Sequence, residues 1–235
     1  MGLTVPKPKP TVLLTRPLAQ SKQFEQSLRD GGFDGPIVIS PLIEISAAPV
    51  DCDLSEFDGV IFTSRNAVDF APVSSIHAWC VGDKTAEKAR RFGWDATSAD
   101  GDADALVATI ARSKPEGKLV HLRGEHSRGD VATRLNQAGI KTYERVVYRQ
   151  TEMPLSAEAQ ALLSGERPVI IPLFSPRSAV LLRKQSRFST GVSSVVMSVA
   201  VANEIQNVGI GTIILAPKTT ASAMLESTLS LIDAA

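Results

Sequence analysis

Hydroxyl side chains stand at the ends of two apolar runs of similar design. One is Asp58-Gly-Val-Ile-Phe-Thr-Ser-Arg-Asn-Ala-Val68; the other is Val169-Ile-Ile-Pro-Leu-Phe-Ser-Pro-Arg-Ser-Ala-Val180. In each, a strand-like run hands over to a helical pattern at Thr63-Ser64 or at Ser175. Free backbone N–H groups and hydroxyls at such a turn are where α/β proteins hold anions. Two matched turns imply a ligand with anionic groups to fill both. A third turn of the same kind runs Val81-Gly82-Asp-Lys-Thr85-Ala86. Nucleophilic chemistry is not indicated, since there is no G-x-S-x-G elbow and no histidine placed near a Ser or Cys partner.

The elements that must carry these turns alternate along the chain. Thr11–Thr15 is an apolar run ending in Arg16-Pro17, and proline suits a helix start because its missing N–H is no loss there. Phe24 and Leu28 give the following helix its apolar face, closed by Gly31-Gly32. Residues 36–40 and 41–46 read as one long extended stretch, and Ile76–Val81, Trp94–Thr97, Lys118–Leu122 and Tyr143–Arg149 as further strands. After a short helix near 157–163, strand and helix alternate again through Val195–Val199 and Thr212–Ala216, and Pro217–Thr220 opens a terminal helix. Such alternation predicts parallel sheets.

Composition narrows the partners. With 25 basic and 25 acidic residues in 235, no net field draws the chain to nucleic acid or an anionic membrane, so anions must be met locally. No apolar run approaches a membrane span of ~18 residues. Cys52 and Cys80 are too few for a disulfide framework and read as reduced thiols in a cytoplasmic protein, and residues 1–10 as a loose arm without an export signal. Asp100, Asp102 and Asp104 lack the glycine and glutamate of a calcium loop and read as helix capping. His77, His121 and His126 lack metal-ligand spacing and read as core or surface residues, and Trp79 and Trp94 as core. No metal or cofactor site is expected, and neither G-x-G-x-x-G nor a P-loop supports a nucleotide enzyme.

The chain also repeats itself. Ser64 matches Ser175; Gly82, Ala86 and Gly93 match Ser198, Ala202 and Gly209; Arg123 falls on Arg16 in the reverse sense. The pattern predicts an outer α/β domain built from 1–38 and 152–235, with 45–145 inserted and 39–44 and 146–151 as two crossing strands. The carboxyl ends of the two sheets could then face one cleft.

Seven segments, in this order, resemble the uroporphyrinogen-III synthase family from Val12 to Leu229: Leu13–Pro17, Asp58–Val68, Val81–Ala86, Leu122–Gly124, Val147-Tyr148, Phe174–Val180 and Ala216–Thr220. The resemblance implies two flavodoxin-like parallel-sheet domains joined by a two-stranded β ladder, a monomer, and an active site without a cofactor. Its substrate would be hydroxymethylbilane, a linear tetrapyrrole with eight carboxylates, closed with loss of water and inversion of ring D through a spiro intermediate. Expected carboxylate-binding residues are Thr63, Ser64, Asn66, Gly82, Thr85, Arg123 and Gly124 in the inserted domain. Those of the outer domain are Arg16, Ser175, Ser178, Ser198 and Thr219. Tyr148 matches the family's tyrosine near the domain junction and could donate a proton to the departing hydroxyl.

Plainer roles compete with each of these. The hydroxyl residues can simply cap helices, the arginines can form surface salt bridges, and the tyrosine can pack on its strand. The chain also departs from the family pattern at Ser198-Val-Ala-Val201-Ala202, where Gly-x-x-Thr-Ala is usual. A non-catalytic two-lobed binding protein or regulator for a polycarboxylate therefore stands as the alternative.

Overall fold

The computed structural model describes residues 9–49, 53–72, 74–126, 129–189 and 191–234. Cys52 and the first eight residues of the N-terminal arm lie outside the described residues. The chain opens with β1 (Thr11–Leu14), α1 (Leu18–Asp30), β2 (Ile37–Ile39) and β3 (Ile43–Ala47). After a 3₁₀ turn at Leu54–Glu56 come β4 (Gly59–Phe62), α2 (Arg65–Asp69), β5 (His77–Cys80), α3 (Asp83–Arg91) and β6 (Ala96–Ser98). Then follow α4 (Ala103–Ser113), β7 (Leu119–Gly124), α5 (Val131–Gln137) and the long β8 (Thr142–Glu152). The chain ends with α6 (Ala157–Ser164), β9 (Val169–Leu173), α7 (Pro176–Gln185), β10 (Val192–Val196), α8 (Val199–Ile205), β11 (Thr212–Leu215) and α9 (Ala221–Ala234).

These elements divide into two compact units. Met1–Glu44 and Glu152–Ala235 form one, and Ile45–Thr151 the other. The first holds a five-stranded sheet in the order β2-β1-β9-β10-β11, with every neighbouring pair parallel. Counted in chain order within the unit this is 2-1-3-4-5, a common arrangement of doubly wound sheets. The second holds β3-β8-β7-β4-β5-β6, parallel from β8 through β6. Starting the count at β7 gives 2-1-3-4-5 again, with β3 added at the edge. The second sheet is thus the first one's order entered at a different strand.

Alternation along the strands sends side chains to both faces of each sheet. In the second unit Val60, Phe62, Val120 and Leu122 pack with Ala86, Ala89 and Trp94, while Ile61 and Leu119 pack with Leu106, Ile110, Val131 and Leu135. Phe62 and Trp94 meet edge to face with centroids 5.2 Å apart. In the first unit Val12, Leu14 and Ile170 pack with Phe24 and Leu28 of α1 and Met224 and Leu231 of α9. Helices α1 and α5 end alike: Gly32 and Gly139 take φ of +89° and +82°, and the next N–H reaches back to Leu28 or Leu135. Only a residue at ease in the left-handed region closes a helix this way, which is why glycine holds both positions.

Three local expectations meet the structure here, and the one for Trp94 changes. The long extended stretch over 36–46 is two strands in two sheets: β2 pairs with β1, and β3 with β8. Between them the Ser40 and Leu42 N–H groups bond to Leu14 and Thr15. Trp94 is not in a strand; its N–H bonds to Ala89 O in the turn after α3, its ring fills the core, and pairing starts only at Ala96. Residues 146–151 belong to β8 of the six-stranded sheet. Pro172 stands inside β9, where β10 pairs through to Leu173 while the β1 register ends at Ile170. A residue without an N–H cannot continue both ladders.

Candidate functional site

In the second unit the strand order reverses between β4 and β7, the switch point at which parallel sheets leave a crevice. A cleft of about 410 Å³ lies there, lined by Thr63 and Ser64 after β4, Val81 after β5, Gly124 at the end of β7 and Tyr148 on β8. Asp102, Ala103, His126 and Gly129 complete its lining.

Tyr148 is placed by what lies on either side of it. Its ring stacks on Phe70 with centroids 6.1 Å apart, and the side chain is only 4% exposed. A β-carbon on Gly124 would lie 2.7 Å from the tyrosine hydroxyl oxygen. Gly124 is therefore required by close approach of the phenol, a reason different from carboxylate binding.

Thr63 is held by a residue that the sequence pattern did not connect to it. His121 Nε2 lies 2.9 Å from Thr63 Oγ1, and the imidazole is buried. On its other side Glu144 Oε1 is 3.4 Å from Nδ1, inside ion-pair reach but off hydrogen-bond alignment. Burial pushes the imidazole down to about 4; the Glu144 carboxylate opposes this, and Arg123 adds to it. His121 is thus a core residue, as its spacing suggested, yet it is also a partner of a hydroxyl at the cleft. The expectation concerned Ser and Cys partners; the hydroxyl that His121 meets is a threonine's. The pairing follows from β4 and β7 being neighbours in the sheet, and no short sequence window reveals it.

The other candidates sort by position. Ser64 and Ser175 cap their helices, accepting from Asn66 N (3.2 Å) and Ser178 N (3.1 Å). Ser178 is buried, with its hydroxyl 2.9 Å from that of Ser175. Gly82 and Ser198 occupy N-cap positions without a side-chain capping bond. Thr85 is buried, and Val201, where the family pattern has threonine, is buried as well. Thr219 is exposed, and the hydroxyl that caps α9 is that of Thr220, which accepts from Ala223 N.

The two arginines occupy matching strand ends but differ in partners. Arg16 lies over the Phe174 ring, 3.9 Å from its centroid. Arg123 sends Nη2 to Glu144 Oε2 (3.1 Å) and Nη1 to the Gly124 and Glu125 carbonyls, so its guanidinium is aimed along β7 and β8. That is the salt-bridge role.

Asp102 caps α4 through the N–H groups of Ala105 and Asp104, which hold its carboxyl below the usual range. Cys80 is buried, and burial raises its thiol to about 12, leaving it unreactive. Among the described residues no His, Cys, Asp and Glu group could hold a metal ion, and no helix is long and apolar enough to cross a membrane.

Parallel α/β units of this kind form a class of fold whose ligands are generally taken at the carboxyl edges of the sheets. The family model described as uroporphyrinogen-III synthase HemD matches residues 22–226. The chain belongs to the uroporphyrinogen-III synthase family. The uroporphyrinogen-III synthase of Chlorobaculum parvum is 31% identical over 168 residues, covering 63% of this chain and 66% of that protein. The crystal structure of uroporphyrinogen-III synthetase from Helicobacter pylori covers 94% of this chain and 99% of its own, at 19% identity and a TM-score of 0.67. A mutant uroporphyrinogen III synthase from the extremely thermophilic bacterium Thermus thermophilus covers 96% and 100%, at 16% identity and a TM-score of 0.53. At these identities the two structures bear on the fold alone.

Proposed function

We propose that the protein is the cyclising lyase of tetrapyrrole biosynthesis, closing hydroxymethylbilane to uroporphyrinogen III through a spiro intermediate. The observation that carries this reading is the cleft at the ends of β4 and β7, where the Tyr148 hydroxyl lies against Gly124 beside Thr63 and Ser64. The linear substrate loses hydroxide from ring A, and the resulting azafulvene closes, unaided, at the unsubstituted α-carbon of ring D. An enzyme must impose attack from the substituted carbon, and holding geometry alone supplies several kcal/mol, up to ~7–11, toward one path. Tyr148 donates to the departing oxygen. The proton is recovered when the unsubstituted α-carbon of ring D gives up its hydrogen in the final closure, so the balance is loss of one water.

Substrate carboxylates are met by the strand-end turns, with Ser64, Asn66 and Gly82 in one unit and Arg16, Ser175, Ser198 and Thr219 in the other. The two units acting on one substrate as an insertion-linked pair, in a cytoplasmic monomer, complete the reading. Mixing purified protein with hydroxymethylbilane and resolving the product isomers tests it. The type III isomer is expected; type I alone, the spontaneous product, would leave a polycarboxylate-binding protein or regulator. Tyr148→Phe should lower turnover with folding intact, and unchanged kinetics would remove Tyr148 from the mechanism.

A further inference from the structure

We propose that His121 acts through Thr63: it takes up the Thr63 hydroxyl hydrogen, so that Thr63 meets the substrate as an acceptor for a pyrrole N–H and steadies positive charge there. This rests on the cyclisation reading above and assigns Thr63 a role other than carboxylate binding, with His121 as its positioning residue.

The argument begins with the tautomer. A neutral imidazole has one N–H, and which nitrogen carries it is set by what the other side faces. Glu144 Oε1 stands 3.4 Å from Nδ1, and Glu144 is itself paired with Arg123 at 3.1 Å. A bare Nδ1 lone pair against that carboxylate would be repelled, whereas Nδ1–H is attracted. The proton therefore sits on Nδ1, and Nε2 is left as an acceptor 2.9 Å from Thr63 Oγ1. The hydroxyl donates to it, and its oxygen lone pairs are what remain for the cleft. The Glu144 charge beside the imidazole also polarises it, and the hydroxyl bonded to Nε2 becomes a stronger acceptor than an isolated threonine.

The cleft's own charge points the same way. Asp102 lines it with a carboxyl held ionised by the N–H groups of Ala105 and Asp104, and no lysine or arginine is among its described lining residues. A substrate carboxylate placed on the Asp102 side of the cleft would meet like charge. A pyrrole N–H would not, least of all once the ring becomes cationic. When the bond from the ring A methylene carbon to oxygen breaks, its electron pair leaves with oxygen as water. The positive charge left behind is shared with the pyrrole nitrogen, whose N–H becomes a stronger donor. An acceptor fixed beforehand at that point favours the charged state over the neutral substrate, which is how preorganised dipoles raise kcat.

Steady-state kinetics with hydroxymethylbilane separate this from the alternatives. Thr63→Val should lower kcat by roughly 10²-fold with KM changed less than about two-fold, since the charge is absent from the ground state. Thr63→Ser, which keeps the hydroxyl, should restore kcat to within a few-fold of wild type. His121→Phe should lower kcat about ten-fold alone but add nothing in the Thr63→Val background, because it acts only through that hydroxyl. Where His121→Phe does not fold, Glu144→Gln gives the same reading by removing the charge that fixes the tautomer.

A raised KM at unchanged kcat for Thr63→Val would make Thr63 a carboxylate ligand. An undiminished His121→Phe effect in the double variant would make His121 merely structural. Unchanged kcat in Glu144→Gln would end the polarity argument. If instead wild-type protein gives only the type I isomer, the cyclisation reading itself fails, an outcome visible before any variant is made.

Discussion

Replacing His121 by phenylalanine should change how stability depends on pH, and by an amount the burial of this side chain sets. An ordinary imidazole takes up its proton near 6.5; in the folded chain burial lowers that to about 4, against the pull of Glu144 and with a further push from Arg123. The unfolded chain therefore binds this proton at higher pH than the folded one. The sign follows: the stability is fully present above pH 6.5 and is lost as pH falls from 6.5 toward 4. At about 1.36 kcal/mol for each pH unit, the gap from 6.5 to about 4 comes to about 3 kcal/mol in total. Roughly 2 kcal/mol of it falls between pH 7 and pH 5, before most carboxylates titrate. Urea unfolding of wild type and His121→Phe at pH 7, 6 and 5 reads it, because the difference between the two proteins cancels the titrating groups remote from the imidazole. Wild type should lose about 2 kcal/mol relative to the variant across that range. A flat difference would mean that Glu144 holds the imidazole charged as strongly as burial opposes it, and a difference of the other sign would refute the burial argument outright.

Three further outcomes follow from packing and capping. Gly124→Ala should displace the Tyr148 ring, lowering turnover and costing about 1–3 kcal/mol in chemical denaturation, since the added carbon meets the buried phenol. Phe62→Ala, which empties a fully buried site against Trp94, should cost about 3–5 kcal/mol, read as a lower urea midpoint. Ser175→Ala should cost about 1 kcal/mol by losing the cap of α7, whereas Ser198→Ala, at a cap position without such a bond, should stay within about 0.5 kcal/mol; paired thermal melts compare them.

What could be seen in the sequence was local. Runs such as Val60-Ile-Phe62 and Val169–Leu173 read as strands because both faces of a parallel sheet are buried, and Gly32 and Gly139 read as helix ends because their backbones need the left-handed region. The hydroxyls of Ser64 and Ser175 were legible as residues at strand-to-helix turns for the same reason. What could not be seen was set by strand neighbours far apart in the chain. Thr63 and His121 are 58 residues apart and meet because β4 lies beside β7; Arg123 is turned to Glu144 because β8 lies on the far side of β7. Trp94 misled for another reason: an apolar residue after a helix reads as the start of a strand, yet a side chain of that size can fill the core from a turn.

The interrupted course of the first unit has a consequence for how the chain must be made. β1 pairs with β2 on one side and on the other needs β9, which begins at Val169, 155 residues after Leu14 (169 − 14 = 155). At the ~5–20 residues per second of protein synthesis, its greasy flank waits roughly 8–30 s on the ribosome for that neighbour. All of Ile45–Thr151 emerges meanwhile and can finish first. A growing chain of this kind keeps its earliest strand unpaired on one side longest, so that flank is the stretch most open to wrong contacts during synthesis.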